Sequence, residues 1–404
     1  MAPYETDDST DTGEADELRS GRRRAARYIV PVTVVGVAAA TIGLVPALAD
    51  SGDPNLPKIT AQQLLDKVAK SDVQQLSGTV KISTDLGLPD LGGLESSLMS
   101  GATKSGDGSS ADPTAKLTEL ATGTHTLRVA ADGPDKQKVS LLENAAEYSL
   151  IHNGKDVWGY DSQSNEVYHG TTSADTSKSD ETRATPKGLT DEALKSVDDT
   201  TSVTVDGTEH VAGRDAYKLL IKPKQSGTTV GTISVAVDAK TGLPLKFTLT
   251  PASGGAAVVD VGFTQLSLAK PAASTFDFKT PKGAKVTTED SAEKAVPAPK
   301  HSTGSGKSEK DLNKGADDPT VLGKGWNSIA VFETGGQGIP SGSSSGGGDL
   351  GGFLSSLGDQ VKGSFGSGTV YSTRLINALV TDDGKVYVGA VTKSALVKAA
   401  DAAK

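Results

Sequence analysis

The chain has 404 residues and a formal net charge of −9, with 47 Gly, 4% aromatic residues and no Cys. The length admits two or three domains, and the acidic balance argues against a nucleic-acid partner, whose phosphates need a basic face. Without Cys there is no disulfide, no Cys-ligated zinc or iron–sulfur cluster, no Cys nucleophile and no lipidated N-terminal Cys.

Residues 1–27 form a charged start. The first 18 are acidic and hold no base, and Arg19, Arg22, Arg23, Arg24 and Arg27 follow. Residues 28–49, YIVPVTVVGVAAATIGLVPALA, carry no charge. As a helix this run spans about 33 Å, enough for the hydrocarbon core. The arginine cluster keeps the N-terminus in the cytoplasm and sends the rest across. Ala47-Leu48-Ala49, with Pro46 ahead of it, is a small-x-small cleavage site. The run exceeds the ~7–15 residues of a signal core, which favours a retained anchor, whereas the site favours cleavage after Ala49. Either way the working part is extracytoplasmic, membrane-anchored or secreted, and starts near Asp50.

Thr60 and Gln63 fit a capping box, and Leu64, Leu65 and Val68 give the helix behind it one apolar stripe. Residues 77–84 (SGTVKIST) read as a strand. Residues 86–118 are Gly- and Ser-rich and read as a mobile insertion, with a weak helix over 94–99. Strands are predicted over 124–130, 136–143, 146–152, 156–161 and 165–170, with Asn153-Gly154 as a hairpin turn. A capped short helix is expected over 190–197.

The organising stretch is 201–249. Tyr217, Leu219 and Ile221 point one way and Lys218 and Lys222 the other; Ile233, Val235 and Val237 oppose Thr232 and Ser234, and Leu245, Phe247 and Leu249 oppose Lys246 and Thr248. A period of two puts each apolar set on one face of an antiparallel sheet. Asp206-Gly207 and Lys240-Thr241-Gly242 are read as its turns. Strands over 258–268 and 276–279 close the set, giving about ten strands. Residues 286–320 are a linker. A second unit, 321–404, holds a strand over 326–333, a Gly/Ser-rich loop over 335–352, a hairpin of 370–380 with 385–391 around Asp382-Asp383-Gly384, and a terminal helix over 393–403. It is small for a lone core, so it is expected to dock on the main sheet or pair with a partner.

The fold class expected is α+β and mainly antiparallel: a half-open, curved sheet forming an unclosed barrel covered by helices. Its apolar face is assigned to Val80, Ile82, Leu127, Val129, Tyr148, Leu150, Trp158, Tyr160, Tyr217, Leu219, Ile221, Ile233, Val235, Leu245 and Phe247. These either line a hollow for an apolar guest or fill an ordinary core; periodicity leaves both open. No catalytic residue, metal ligand or cofactor is nominated. His125, His152, His169, His210 and His301 lack metal-binding spacing. Gly304-Ser305-Gly306-Lys307-Ser308 ends like a phosphate loop, but His301 stands at the required first glycine and no strand precedes it. There is no Gly-x-Ser-x-Gly elbow.

Gly213-Arg214-Asp215-Ala216-Tyr217-Lys218-Leu219, Asp238-Ala239-Lys240-Thr241-Gly242-Leu243-Pro244-Leu245 and Leu76-Ser77-Gly78-Thr79 carry a resemblance. Over 57–285 the chain resembles the LolA-like lipoprotein carriers and the N-terminal domain of the RseB/MucB regulators, in their exported actinobacterial form. The resemblance implies a half-barrel that binds a lipid or lipoprotein acyl group without catalysis. The alternative it implies is an envelope-stress sensor that binds a membrane protein. An exported hydrolase ranks last, because no residue is nominated for it.

Overall fold

The computed structural model describes residues 54–87, 110–113, 116, 120, 122–171, 185–195, 197–288, 320–333 and 358–403. The predicted membrane span 28–49, the short helix over 94–99, the loop 335–352 and most of the linker lie outside them. Among the described residues no helix is long and apolar enough to cross a membrane.

Helix α1 (Ala61–Ala69) starts with the capping box read from the sequence: the Gln63 amide donates to Thr60 Oγ1 at 3.2 Å and the Thr60 amide to Gln63 Oε1 at 3.0 Å. Its stripe buries Leu64 and Val68 against β7 and β8. Eleven strands follow: β1 (Gln75–Thr84), β2 (Gly123–Asp132), β3 (Lys136–Glu143), β4 (Ala146–Asn153), β5 (Asp156–Asp161), β6 (Glu166–Thr171), β7 (Thr201–Val211), β8 (Arg214–Pro223), β9 (Val230–Asp238), β10 (Pro244–Pro251) and β11 (Val259–Ser267). With β12 (Lys285–Thr288) they form one sheet in the order β12-β6-β5-β4-β3-β2-β1-β11-β10-β9-β8-β7. β1 returns to β11, which joins the two meanders, and the sheet does not close: β12 and β7 are its free edges. It does curl, because β7 touches β11 although three strands separate them in the pairing order.

Register places one apolar row across the sheet. Leu219 pairs with Val235, Val235 with Phe247, Phe247 with Val261, and Val261 with Ile82. Val80 opposes Leu127, Leu127 opposes Leu141, and Leu141 opposes Tyr148. This inner face is covered by α1 and by α2 (Pro186–Lys195), which packs on β10 and β11. Part of the stretch read as a mobile insertion is core: Ala111 is fully buried, and its carbonyl accepts from Tyr148 Oη at 3.1 Å.

Several expectations are corrected. Helix α2 begins earlier than 190, because Thr185 caps it, accepting from the Gly188 amide at 3.1 Å, and Pro186 is pre-set for the first turn. Thr190 is instead buried inside the helix and donates to the Pro186 carbonyl at 2.7 Å. Asp206-Gly207 is a bulge within β7, and the β7–β8 turn falls at Ala212-Gly213, both with positive φ. Residues 276–279 are not a strand; Phe276 follows a 3₁₀ turn over Ala273–Thr275 and is buried.

The C-terminal part is a six-stranded sheet, β13 (Thr320–Leu322), β14 (Ile329–Glu333), β15 (Asp359–Gly363), β16 (Gly366–Ser372), β17 (Asn377–Thr381) and β18 (Lys385–Gly389), in the order β13-β14-β18-β17-β16-β15. Helix α3 (Lys393–Ala402) covers one face through Leu396 and Ala400. The strand expected over 370–380 is two strands, because residues 373–376 turn, with Thr373 Oγ1 accepting from the Ile376 amide at 2.8 Å. Trp326 lies in a 3₁₀ turn ahead of β14.

This sheet is joined to the first at defined points. The Thr229 amide donates to the Ala390 carbonyl at 2.9 Å and the Thr392 amide to the Gly227 carbonyl at 2.7 Å. Trp326 Nε1 donates to Thr201 Oγ1 at 2.9 Å. At the other end of the seam Arg374 pairs with Asp85 at 2.6 Å and also donates to the Ala256 carbonyl. Its own amide bonds the Leu86 carbonyl at 2.8 Å.

Candidate functional site: an apolar cleft on the inner face

The inner face is divided. Val80, Ile82, Leu127, Val129, Tyr148, Leu150 and Leu245 belong to one buried cluster with Phe263 and Leu243. Tyr217, Leu219, Ile221, Ile233, Val235 and Phe247 belong to a second, under α1 and α2. Trp158 and Tyr160 are in neither, and their assignment to this face is corrected. Register pairs Trp158 with Ile151 and Tyr160 with Ser149, so both point outward, while Gly159 faces inward opposite Leu150. The inward position is glycine for a physical reason: a Cβ there would lie 2.4 Å from the Ala111 carbonyl oxygen. Trp158 instead stacks on His169, ring centroids 3.8 Å apart, with Phe278 beside it.

The two helices and the Ala111 segment leave the end of the β2–β3 hairpin uncovered among the described residues. There the inner face opens into a cleft of about 370 Å³, within the ~300–1,000 Å³ usual for small-molecule sites. Its floor is Leu76, Val129, Val139, Leu243 and Phe263, with Val73 at the side. Different elements set these floor residues. Val129 and Val139 face each other across the hairpin. Leu243 is set by the β9–β10 turn, and Phe263 by the bulge that shifts β11 against β1. The rim is polar: Ser71 and Gln74 from the turn after α1, Gln137 and Lys138 from β3, and Lys187 from α2. Among the described residues Ser71 Oγ is buried and has no hydrogen-bond partner. An apolar floor with a polar rim suits a molecule with a hydrocarbon chain and a polar head.

Of the residues read from the sequence, Val129 lines this cleft. Leu76, Val139, Leu243 and Phe263 were not in that set. Val139 carried the signal that could have found it, since it alternates with Lys138 and Ser140 in step with its neighbour strand.

The turn beneath the cleft is fixed by Asp238. This carboxylate is buried and accepts from Arg214 Nε at 2.6 Å, the Thr241 amide at 2.6 Å and Thr241 Oγ1 at 2.8 Å. Burial alone would raise its pKa, but the bonds from Arg214 and Thr241 outweigh burial and hold it below the usual carboxylate range. The four described histidines serve local structure. His169 lies 2.9 Å from Asp156, His210 lies 2.9 Å from Asp215, and His125 and His152 meet backbone carbonyls. Among the described residues no group of three or more His, Asp or Glu could hold a metal ion.

No protein-family model matches the chain, and neither does any curated protein. Solved structures do. A chain of the Pseudomonas aeruginosa MucA/MucB complex is 17% identical, with a TM-score of 0.38, and the likeness covers 84% of this chain and 96% of that one. The LolA superfamily protein from Nitrosomonas europaea is 12% identical, with a TM-score of 0.22, covering 55% of this chain and 99% of that one. An uncharacterized conserved protein from Thermus thermophilus is 14% identical, with a TM-score of 0.31, covering 56% and 98%. The similarity is distant.

Proposed function

We propose that the protein is an extracytoplasmic, non-catalytic binding protein of the RseB/MucB kind. Its inner-face cleft takes the acyl chain of a lipid or lipoprotein, and its two joined sheets engage a membrane protein. The observation that carries this reading is the seam. Carriage needs only a half-barrel, whereas here a second sheet is fixed to the first through Thr229, Thr392, Trp326 and Arg374. A fixed second sheet gives a partner one composite surface and places it beside the element that holds the ligand. The arginine-flanked apolar run at 28–49 supports placement outside the membrane, tethered or released. A simple carrier of lipoprotein acyl groups is the second reading, favoured by the open cleft itself.

The test is photo-crosslinking in intact host cells from positions on both sheets, with the captured species identified by mass spectrometry. A membrane protein captured from the C-terminal sheet is the expected result. Lipoproteins captured from the half-barrel alone support carriage, and capture of no envelope component overturns both.

A further inference from the structure

The outer face of the main sheet carries a second concavity, of about 560 Å³. It meets the apolar cleft at Val129, Ala130 and Lys138, which line both, but the rest of its lining is mostly polar. A strap, residues 268–276, recrosses this face on its way from β11 to β12. Lys270 pins the strap to Asp132 at 3.1 Å, and the Asn153 side-chain amide donates to the Phe276 carbonyl at 3.3 Å, with the Phe276 ring buried. The trough beside the strap is lined by the hydroxyls of Ser77, Thr79, Ser140 and Ser267.

Register puts these groups side by side. Arg128 lies directly opposite Thr79 on β1 and Ser140 on β3, and Lys138 follows two residues from Ser140 on the same face. Such a diagonal is about 7–8 Å, a spacing that one anionic group and its neighbouring oxygens can bridge. Among the described residues neither the Arg128 nor the Lys138 side chain has an ion-pair or hydrogen-bond partner. The nearby Glu147 pairs with neither cation: Ser149 Oγ donates to its Oε1 at 2.9 Å, and Ser149 shares a 2.8 Å hydroxyl contact with Ser140. Ser140 and Ser149 are themselves buried. Among the described residues the trough therefore has two free cations, a row of hydroxyls, one positioned acceptor and no aromatic ring.

We propose that this trough binds an acidic saccharide, with its carboxylate or phosphate against Arg128 and Lys138 and its hydroxyls against the serine and threonine row and Glu147. Charge-assisted hydrogen bonds from Arg128 supply most of the affinity, because no ring is present to stack on the sugar. The site shares Lys138 with the rim of the acyl cleft.

Isothermal titration of the full chain in detergent with digalacturonate, glucose 6-phosphate and cellobiose tests the proposal. Binding of digalacturonate alone assigns a carboxylated sugar, and binding of glucose 6-phosphate alone assigns a phosphorylated one; either supports it. The Arg128→Gln variant, with an unchanged melting temperature, should weaken that binding about tenfold or more, and added salt should weaken it further. Binding of neither acid, equal binding of cellobiose, or unchanged affinity in Arg128→Gln would overturn it.

Discussion

Asp238→Ala should lower the unfolding free energy by about 3–5 kcal/mol, the cost of removing one partner of a buried ion pair. The loss has two parts. Arg214 keeps its charge in a site where its side chain is only 23% exposed, and the Lys240 and Thr241 amides lose their acceptor. The β9–β10 turn then no longer presents Leu243 to the cleft. The effect should depend on pH with a definite sign. The folded carboxyl is held below its ordinary pKa, so its contribution is full above the unfolded value of about 3.9 and is lost as pH falls through the lower folded value. Urea midpoints of parent and variant should therefore differ most near neutral pH and converge in acid. A gap that persists unchanged in acid would mean that the charge is not what holds the turn.

Gly242→Ala is the second large effect. Gly242 has φ +76°, and a Cβ there would lie 2.3 Å from the Lys67 carbonyl oxygen at the end of α1. The left-handed backbone and the collision together should cost about 2–4 kcal/mol. Gly213 is the control: its φ is +74°, but an added Cβ meets nothing within 4 Å. Gly213→Ala should cost only about 1 kcal/mol. The difference between the two, read from chemical unfolding, measures how closely the β9–β10 turn packs beneath α1. Equal losses at both positions would show that this contact contributes nothing.

The meander was legible because its large apolar residues recur at every second position in three successive segments, despite Leu220 and Ala236 between them. Tyr217, Leu219 and Ile221 could face inward only together, and their neighbours Lys218 and Lys222 settle which side is wet. β5 was not legible in the same way. Its large residues, Trp158 and Tyr160, alternate with Val157 and Gly159, and the inward side is the one with the glycine. Size argued for the wrong face because the space there is filled by Ala111, far away in sequence. β12 was invisible for a related reason: four residues, parallel to β6 across a long connection, have no periodicity to read. The cleft itself is the most non-local feature. Leu76, Val139, Leu243 and Phe263 meet only after β1 has paired with both β2 and β11, so no local pattern marks them as a group.

Acyl binding requires the inner-face cleft at the β2–β3 hairpin to be a ligand site and not a gap in ordinary packing. Fluorescence titration of the full chain with dansyl-undecanoate, beside its Val139→Trp variant, tests this directly. The indole at 139 would occupy the cleft floor from the strand that forms it. Saturable uptake by the parent chain, abolished in Val139→Trp with an unaltered unfolding midpoint, is the predicted result. No saturable uptake by the parent, or uptake that survives the indole, would contradict it.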